Sequence, residues 1–276
     1  IEDRIWAQEM INKNYKIVYE PEASVYHYHG IHQDGNKKRL RQVVRILEKS
    51  NVIEKSAVNN SEVCAIIPID GKPPNLSTTL SCLDYTYKAI KSSNEITRLI
   101  LAASDEDTLK EGEKIGYEII ERPKSLSKDF MTVLDVIRYV VEKLSIENYQ
   151  PEIVLYASVT YPFRKPNLFD NIIKKLKTSG CTSVIPSFSE YRSVWGYQDN
   201  NMIRLDEGSL PHDYKRGIEI GVAGLGAAYL VDALVNNWLN EKVGLYEIDD
   251  FMSQIDIRDE KGVSVANDYL DEWWSK

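Results

Sequence analysis

From residue 63 onward, short unbroken apolar runs alternate with longer stretches in which apolar positions recur every three or four residues. Residues 63–69 (VCAIIPI), 99–103, 118–121, 153–157 and 182–186 read as buried strands, because strands covered on both faces carry near-continuous apolar runs. Between them, Met131, Val133, Leu134, Val136, Ile137, Val140, Val141 and Leu144 mark one broad helical face. Leu168, Ile172, Ile173 and Leu176 mark another over residues 166–179. This spacing predicts an α/β fold, a mostly parallel sheet with helices on both faces. Ligands of such sheets bind beyond the carboxyl ends of the strands, which directs attention to the loop after residue 69. A further buried strand is expected over residues 226–230, since the glycines Gly221, Gly224 and Gly226 do not follow the order of a dinucleotide-binding turn.

The first 55 residues have another character. They carry ten basic and eight acidic side chains, against 24 and 34 in the remainder. A helix is expected after the opening residues, a strand over 16–19 and a second helix over 38–49 with Leu40, Val43, Val44, Ile46 and Leu47 apolar. The polar stretch 56–62 reads as a linker. The predicted organisation is a short α/β remnant (1–55), a linker (56–62) and a main domain (63–276).

Composition narrows the function classes. With 276 residues, 43% of them hydrophobic and 28% charged, the chain is long enough for a substantial core. A net charge of −8 argues against a general nucleic-acid binder. The longest uncharged run, between Glu219 and Asp232, is too short and too glycine-rich to span a bilayer. Cys64, Cys82 and Cys181 form no close pair, which suits a reducing, cytoplasmic setting. The opening Ile1-Glu2-Asp3-Arg4 has no apolar leader and reads as a piece of something longer.

In the first segment, Glu2-Asp3-Arg4-Ile5-Trp6 and the later Tyr26-His27-Tyr28-His29-Gly30 resemble the end of the catalytic domain in family 2 glycosyltransferases. The resemblance implies Asp3 as general base with Glu2 beside it, and His29 or His27 near a metal and diphosphate. On an extended chain His27 and His29 share one face, an arrangement equally suited to the outer side of a half-exposed strand. The family's nucleotide-binding half would precede residue 1, so 55 residues are expected to be inactive alone.

Several strings over residues 63–274 keep the order of a second family. Ala65-Ile66-Ile67-Pro68 ends the first strand, Asp84-Tyr85-Thr86-Tyr87 opens a helix, Ala103-Ser104-Asp105-Glu106 ends the second strand, and Glu121-Arg122-Pro123 turns after the third. Thr160-Tyr161-Pro162-Phe163-Arg164 and Ile255-Asp256-Ile257-Arg258 follow. Together they resemble the N-acylneuraminate cytidylyltransferases, Rossmann-like nucleotidyltransferases that transfer CMP from CTP to sialic-type (nonulosonic) acids. The resemblance implies CTP and a sugar acid as ligands, Mg2+ as cofactor, and a homodimer with a protruding element around residues 191–210. It implies substrate or nucleotide contacts from Gly71, Ser104, Arg122, Thr160 and Arg164. It gives catalytic parts to Lys72 and Asp256, with Asp256 also holding the metal.

The departures from that family fall on charged positions. Where its loop reads I-P-A-R-x-G-S-K, this chain has Ile69 and Asp70 in place of Ala-Arg, two prolines that remove N–H donors, and Lys72 as the nearby cation. The family's Q-P-T-S-P-x-R has Ser158 for its Gln and Tyr161 for its Ser. Its I-D-I-D becomes Ile255-Asp256-Ile257-Arg258, an arginine in place of the second metal carboxylate. If these residues alternate along an edge strand, 256 and 258 share a face, and a metal on Asp256 requires Arg258 to turn away. Asp249, Asp250 and Asp259 are the acids available to compensate. Arg164 suits either a carboxylate ligand or a helix cap, Asp129 a helix N-cap, and Trp195, Tyr197, Trp238, Trp273 and Trp274 core or subunit contacts. Two functions follow: a cytidylyltransferase, or an inactive nucleotide-binding, sugar-binding or dimerisation module attached to a glycosyltransferase.

Overall fold

Residues Val63 to Ile67 are completely buried, and they form the middle of a sheet because both faces of that strand are covered. The computed structural model describes residues 62–127, 131–206, 217–237, 239–240 and 242–275, which belong to the unit Asn60–Lys276. Glu2, Asp3, His27, His29, Asp129 and Trp238 lie outside the described residues.

In chain order the elements are β1 (Val63–Pro68), α1 (Cys82–Lys91), β2 (Arg98–Ala103), α2 (Glu106–Ile115), β3 (Glu118–Glu121), α3 (Val133–Ile146) and β4 (Ile153–Tyr156). Then come α4 (Leu168–Ser179), β5 (Ser183–Glu190), β6 (Trp195–Gln198), β7 (Asn201–Arg204), β8 (Ile218–Gly221), β9 (Ala227–Leu230), β10 (Val243–Glu247) and α5 (Glu260–Trp273). The sheet order is β10-β5-β9-β4-β1-β2-β3, with β8 on β5. Neighbours pair in parallel except β9, which runs antiparallel between β4 and β5, and β8, antiparallel to β5. All five strands expected from the apolar runs form, and β9 is the sixth.

Alternation along β1 divides the core. Val63, Ala65 and Ile67 pack with α1, α4 and α5, against which Leu109 and Ile115 of α2 also rest. Cys64 and Ile66 face α3 through Val136, Ile137, Val140 and Leu144. Polar residues set the helix starts. Ser81 and Asp84 exchange hydrogen bonds as a capping box on α1, Asp105 caps α2, and Asp259 caps α5. For α3 the cap is Thr132, in a capping box with Asp135, and not Asp129 as the sequence suggested.

Two further expectations change. Residues 255–258 form no strand: they run from the 3-10 turn Met252–Gln254 into the Asp259 cap, and Ile257 donates its N–H to Thr160 O at 2.9 Å. Trp195 and Tyr197 are not core residues but stand 56% and 76% exposed on the two-stranded β6–β7 hairpin.

Candidate functional site

Because β1, β2, β3 and β4 are parallel, the chain leaves all four at one rim, and the residues singled out by sequence gather there. After β1, the Ile69 N–H is held by Ala102 O at 2.9 Å, which aims Asp70 toward the end of β3. There Arg122, only 3% exposed, pairs with the Asp70 carboxylate. The acid at this position is therefore neutralised from below. Gly71 takes the left-handed conformation at φ +72° and turns the loop outward. Lys72 extends across it to Asp107 at 3.2 Å, and the hydrogen bond from its ammonium raises the lysine pKa further. Ser104 follows β2 immediately before Asp105, whose carboxylate is held below its ordinary pKa mainly by the Thr108 N–H.

The loop beyond Lys72 borders a cleft of about 480 Å³ lined by Lys72, Pro73, Leu76, Thr79, Cys82 and Asp107. It is anchored by the last helix. Asn267 accepts from the Ser77 N–H at 2.8 Å, and Asp271 accepts from Thr79 Oγ1 at 3.0 Å and from the Tyr85 hydroxyl at 2.6 Å.

After β4 the arrangement is tighter. Ser158 Oγ and Thr160 Oγ1 lie 2.9 Å apart, and the Ser158 N–H donates to Gly224 O at 2.8 Å. Gly224 is required here, since a Cβ on it would sit 2.5 Å from the Tyr161 ring. Arg164 is 2% exposed and donates to Leu225 O at 2.9 Å, Ser158 O at 2.6 Å and Thr86 Oγ1 at 3.2 Å. Burial lowers its pKa to about 10, which leaves it charged at neutral pH. Its guanidinium thus ties the β4 loop to α1 and to the turn before β9. It does not cap α4, which begins after Asn167 without a side-chain cap.

Asp256 reaches the same rim from the loop before α5. Its Oδ2 lies 2.9 Å from Arg258 Nε, so Arg258 turns toward Asp256. Around the pair stand Tyr156 and Tyr161. Burial, then the Asp256 carboxylate, push the Tyr161 phenol up to about 12. Burial also raises Tyr156, and the positive charge of Arg258 partly opposes that rise. Gly262 lets α5 approach this loop, because a Cβ there would meet Asp256 O and Ile257 Cα at 2.7 Å.

Magnesium does not fit this donor set. Asp256 Oδ2 is engaged by the Arg258 guanidinium, which leaves its buried, unpartnered Oδ1 as a single carboxylate oxygen with a positive charge beside it, where a hard cation prefers several oxygens. The three candidate replacements are committed elsewhere. Asp249 and Asp250 hold Lys165 at 2.6 and 3.7 Å, Asp250 also accepts from the Ser253 N–H and hydroxyl, and Asp259 caps α5. Among the described residues no group of three or more His, Cys, Asp or Glu is arranged to hold a metal ion.

The structure therefore brings Asp70, Gly71, Lys72, Ser104 and Arg122 to one part of the rim, and Thr160, Asp256 and Arg258 to another. Arg164 sits beneath. Sequence reasoning missed Thr86, Gly224 and Gly262, whose roles are visible only once the loops they touch are placed.

No family model and no curated protein matches the chain. Solved structures do. The 4-diphosphocytidyl-2C-methyl-D-erythritol synthase from Anaerococcus prevotii DSM 20548 superposes with a TM-score of 0.57 at 20% identity, covering 78% of this chain and 98% of that one. A second structure of that name gives 0.54 at 13% identity, over 77% and 99%. A CMP:2-keto-3-deoxy-manno-octonic acid synthetase complexed with CTP gives 0.50 at 13%, over 68% and 90%. At these identities the likeness shows the fold, an α/β architecture shared with these structures, and no more. Among the described residues no helix is long and apolar enough to cross a membrane.

Proposed function

We propose that this domain binds a cytidine nucleotide carrying one phosphate, free or joined to a sugar acid, and does not itself perform nucleotidyl transfer. The observation that carries this reading is the Asp256–Arg258 ion pair at 2.9 Å. Nucleotidyl transfer from CTP needs the charge of the α-phosphate and the leaving diphosphate offset, commonly by a divalent cation on carboxylates. Here the carboxylate in question is bound by a guanidinium.

Charge at the rest of the rim supports the same reading. Arg122 is engaged by Asp70, whereas the Lys72–Asp107 pair is exposed on both sides and worth little. Against the charge of a triphosphate this part of the rim therefore offers one movable lysine, enough for a single phosphate. Gly71 leaves open space beside its backbone for such a group. The fold, shared with CTP-using synthetases, supports cytidine as the base.

The rival reading is an active enzyme transferring CMP from CTP to a nonulosonic acid. Two measurements on the full chain separate them: calorimetric titration with CMP and CTP, and diphosphate release with CTP, magnesium and N-acetylneuraminate. The expected result is binding of CMP with no release above the protein-free control. Release that disappears in Asp256→Asn establishes the enzyme instead.

A further inference from the structure

The Asp256–Arg258 pair has an asymmetry that a simple surface ion pair lacks. Asp256 is mostly buried at 26% side-chain exposure, whereas Arg258 is 69% exposed. The backbone around the carboxylate is fixed: Ile257 N–H is bonded to Thr160 O at 2.9 Å, and Gly262 packs under Asp256 O. The atom of the guanidinium nearest the Asp256 carboxylate is Nε, the inner end of the group. Among the described residues the guanidinium has no other ion-pair partner, and most of the side chain is open to solvent. A planar guanidinium held this way presents a fork of donors suited to the two oxygens of a phosphate or carboxylate.

From this geometry we infer that Arg258, oriented by Asp256, is the fixed cation of the site and binds the oxyanion of the ligand without a divalent metal. Asp256 is then a positioning residue. Its Oδ2 faces the arginine while its Oδ1 is buried without a hydrogen-bond partner, and the hydroxyls of Ser158 and Thr160 lie 2.9 Å apart on the loop to which Ile257 is bonded. The inference deepens the nucleotide-binding reading but does not need it, because the oxyanion is either a nucleotide phosphate or the carboxylate of a sugar acid.

The test is calorimetry on the full chain with three separate probes, CMP, inorganic phosphate and N-acetylneuraminate, each measured in EDTA and in magnesium. The variants are Arg258→Ala, Arg258→Lys and Asp256→Asn, with circular dichroism to confirm that each is folded. For at least one probe, affinity in EDTA and in magnesium is expected to agree within about twofold, and Arg258→Ala to weaken it about tenfold or more. Arg258→Lys retains part of the affinity through its charge, and Asp256→Asn loses less than Arg258→Ala. If CMP fails to bind while phosphate or N-acetylneuraminate binds in this Arg258-dependent way, the inference stands and the nucleotide reading falls. If CMP binds only with magnesium and ignores Arg258→Ala, the nucleotide reading stands and the inference is overturned. Absence of Arg258-dependent binding for all three probes overturns it as well.

Discussion

Arg258 Nε lies 2.9 Å from Asp256 Oδ2, two residues back along a loop that is not a strand. In an extended strand the two side chains would share one face. In the loop between Met252–Gln254 and the Asp259 cap they close on each other, because Ile257 is drawn inward to Thr160. With Arg258 largely exposed, removing its charge costs little stability. Arg258→Ala is expected to lower stability by less than about 1 kcal/mol in urea denaturation while abolishing the charge at the rim.

Arg164 should behave in the opposite way. It is buried, and its three strongest hydrogen bonds run to two backbone carbonyls and Thr86. Arg164→Ala leaves those acceptors unpaired and is expected to cost about 3–5 kcal/mol. Arg164→Lys rescues little, since one ammonium cannot span three directions. Urea titration of both variants checks this. A loss of CMP affinity in fully folded Arg164→Lys, with stability unchanged, would place Arg164 among the binding residues.

Gly224 and Tyr161 form a coupled pair. Gly224→Ala drives a methyl to 2.5 Å from the Tyr161 ring, for an expected loss of about 1–3 kcal/mol. Tyr161→Ser empties that space. In the double variant the penalty of Gly224→Ala should therefore shrink markedly, read as a coupling energy in a double-mutant cycle. Additive losses contradict the contact.

Tyr85 and Asp271 predict limits of stability at both ends of the pH range. The Tyr85 hydroxyl, bonded to Asp271 at 2.6 Å, holds that carboxylate below its ordinary pKa. This contribution is present above the unfolded carboxylate value and is lost as pH falls through the folded one. Burial, then Asp271, raise the Tyr85 phenol from 10 to about 12. That contribution is complete below pH 10 and is lost as pH climbs toward 12. In Tyr85→Phe both dependences should flatten, measured as thermal midpoint against pH.

The β6–β7 hairpin carries Trp195, Tyr197 and Met202 as exposed apolar side chains. If this is the protruding element of a homodimer, light scattering at tens of micromolar protein, roughly the range that tests an interface of standard size, reports a dimer. Trp195→Ser with Tyr197→Ser should then give a folded monomer. A monomer in the unmodified chain removes the dimer.

The fold was legible because it is written in runs of like residues. The uninterrupted VCAIIP of β1 and the helical apolar face of α3 admit few alternatives. The rim was legible only in part. Asp70, Lys72, Arg122 and Asp256 were recognisable as candidates, but their meaning depends on partners 52, 35, 52 and 2 residues away respectively, and pairwise charge contacts across loops leave no periodic trace. Arg164 shows the limit best: beside a ligand or beneath the loop, the same Pro162-Phe163-Arg164 string would be written. Alternation misplaced Asp256 because it assumes a strand, and the inward pull of Ile257 on Thr160 is a tertiary contact.

The proposed metal-free site turns on the Arg258 guanidinium beside the Asp256 carboxylate. A cation about 4 Å from Arg258 pays on the order of 4 kcal/mol at an effective dielectric near 20, about a thousandfold in affinity. Manganese titration followed by electron paramagnetic resonance measures this directly. The unmodified protein should leave the signal of free manganese undiminished, and Arg258→Asp should quench it by binding the ion. Tight manganese binding by the unmodified protein that vanishes in Asp256→Asn would contradict the account and return this domain to the metal-dependent enzymes.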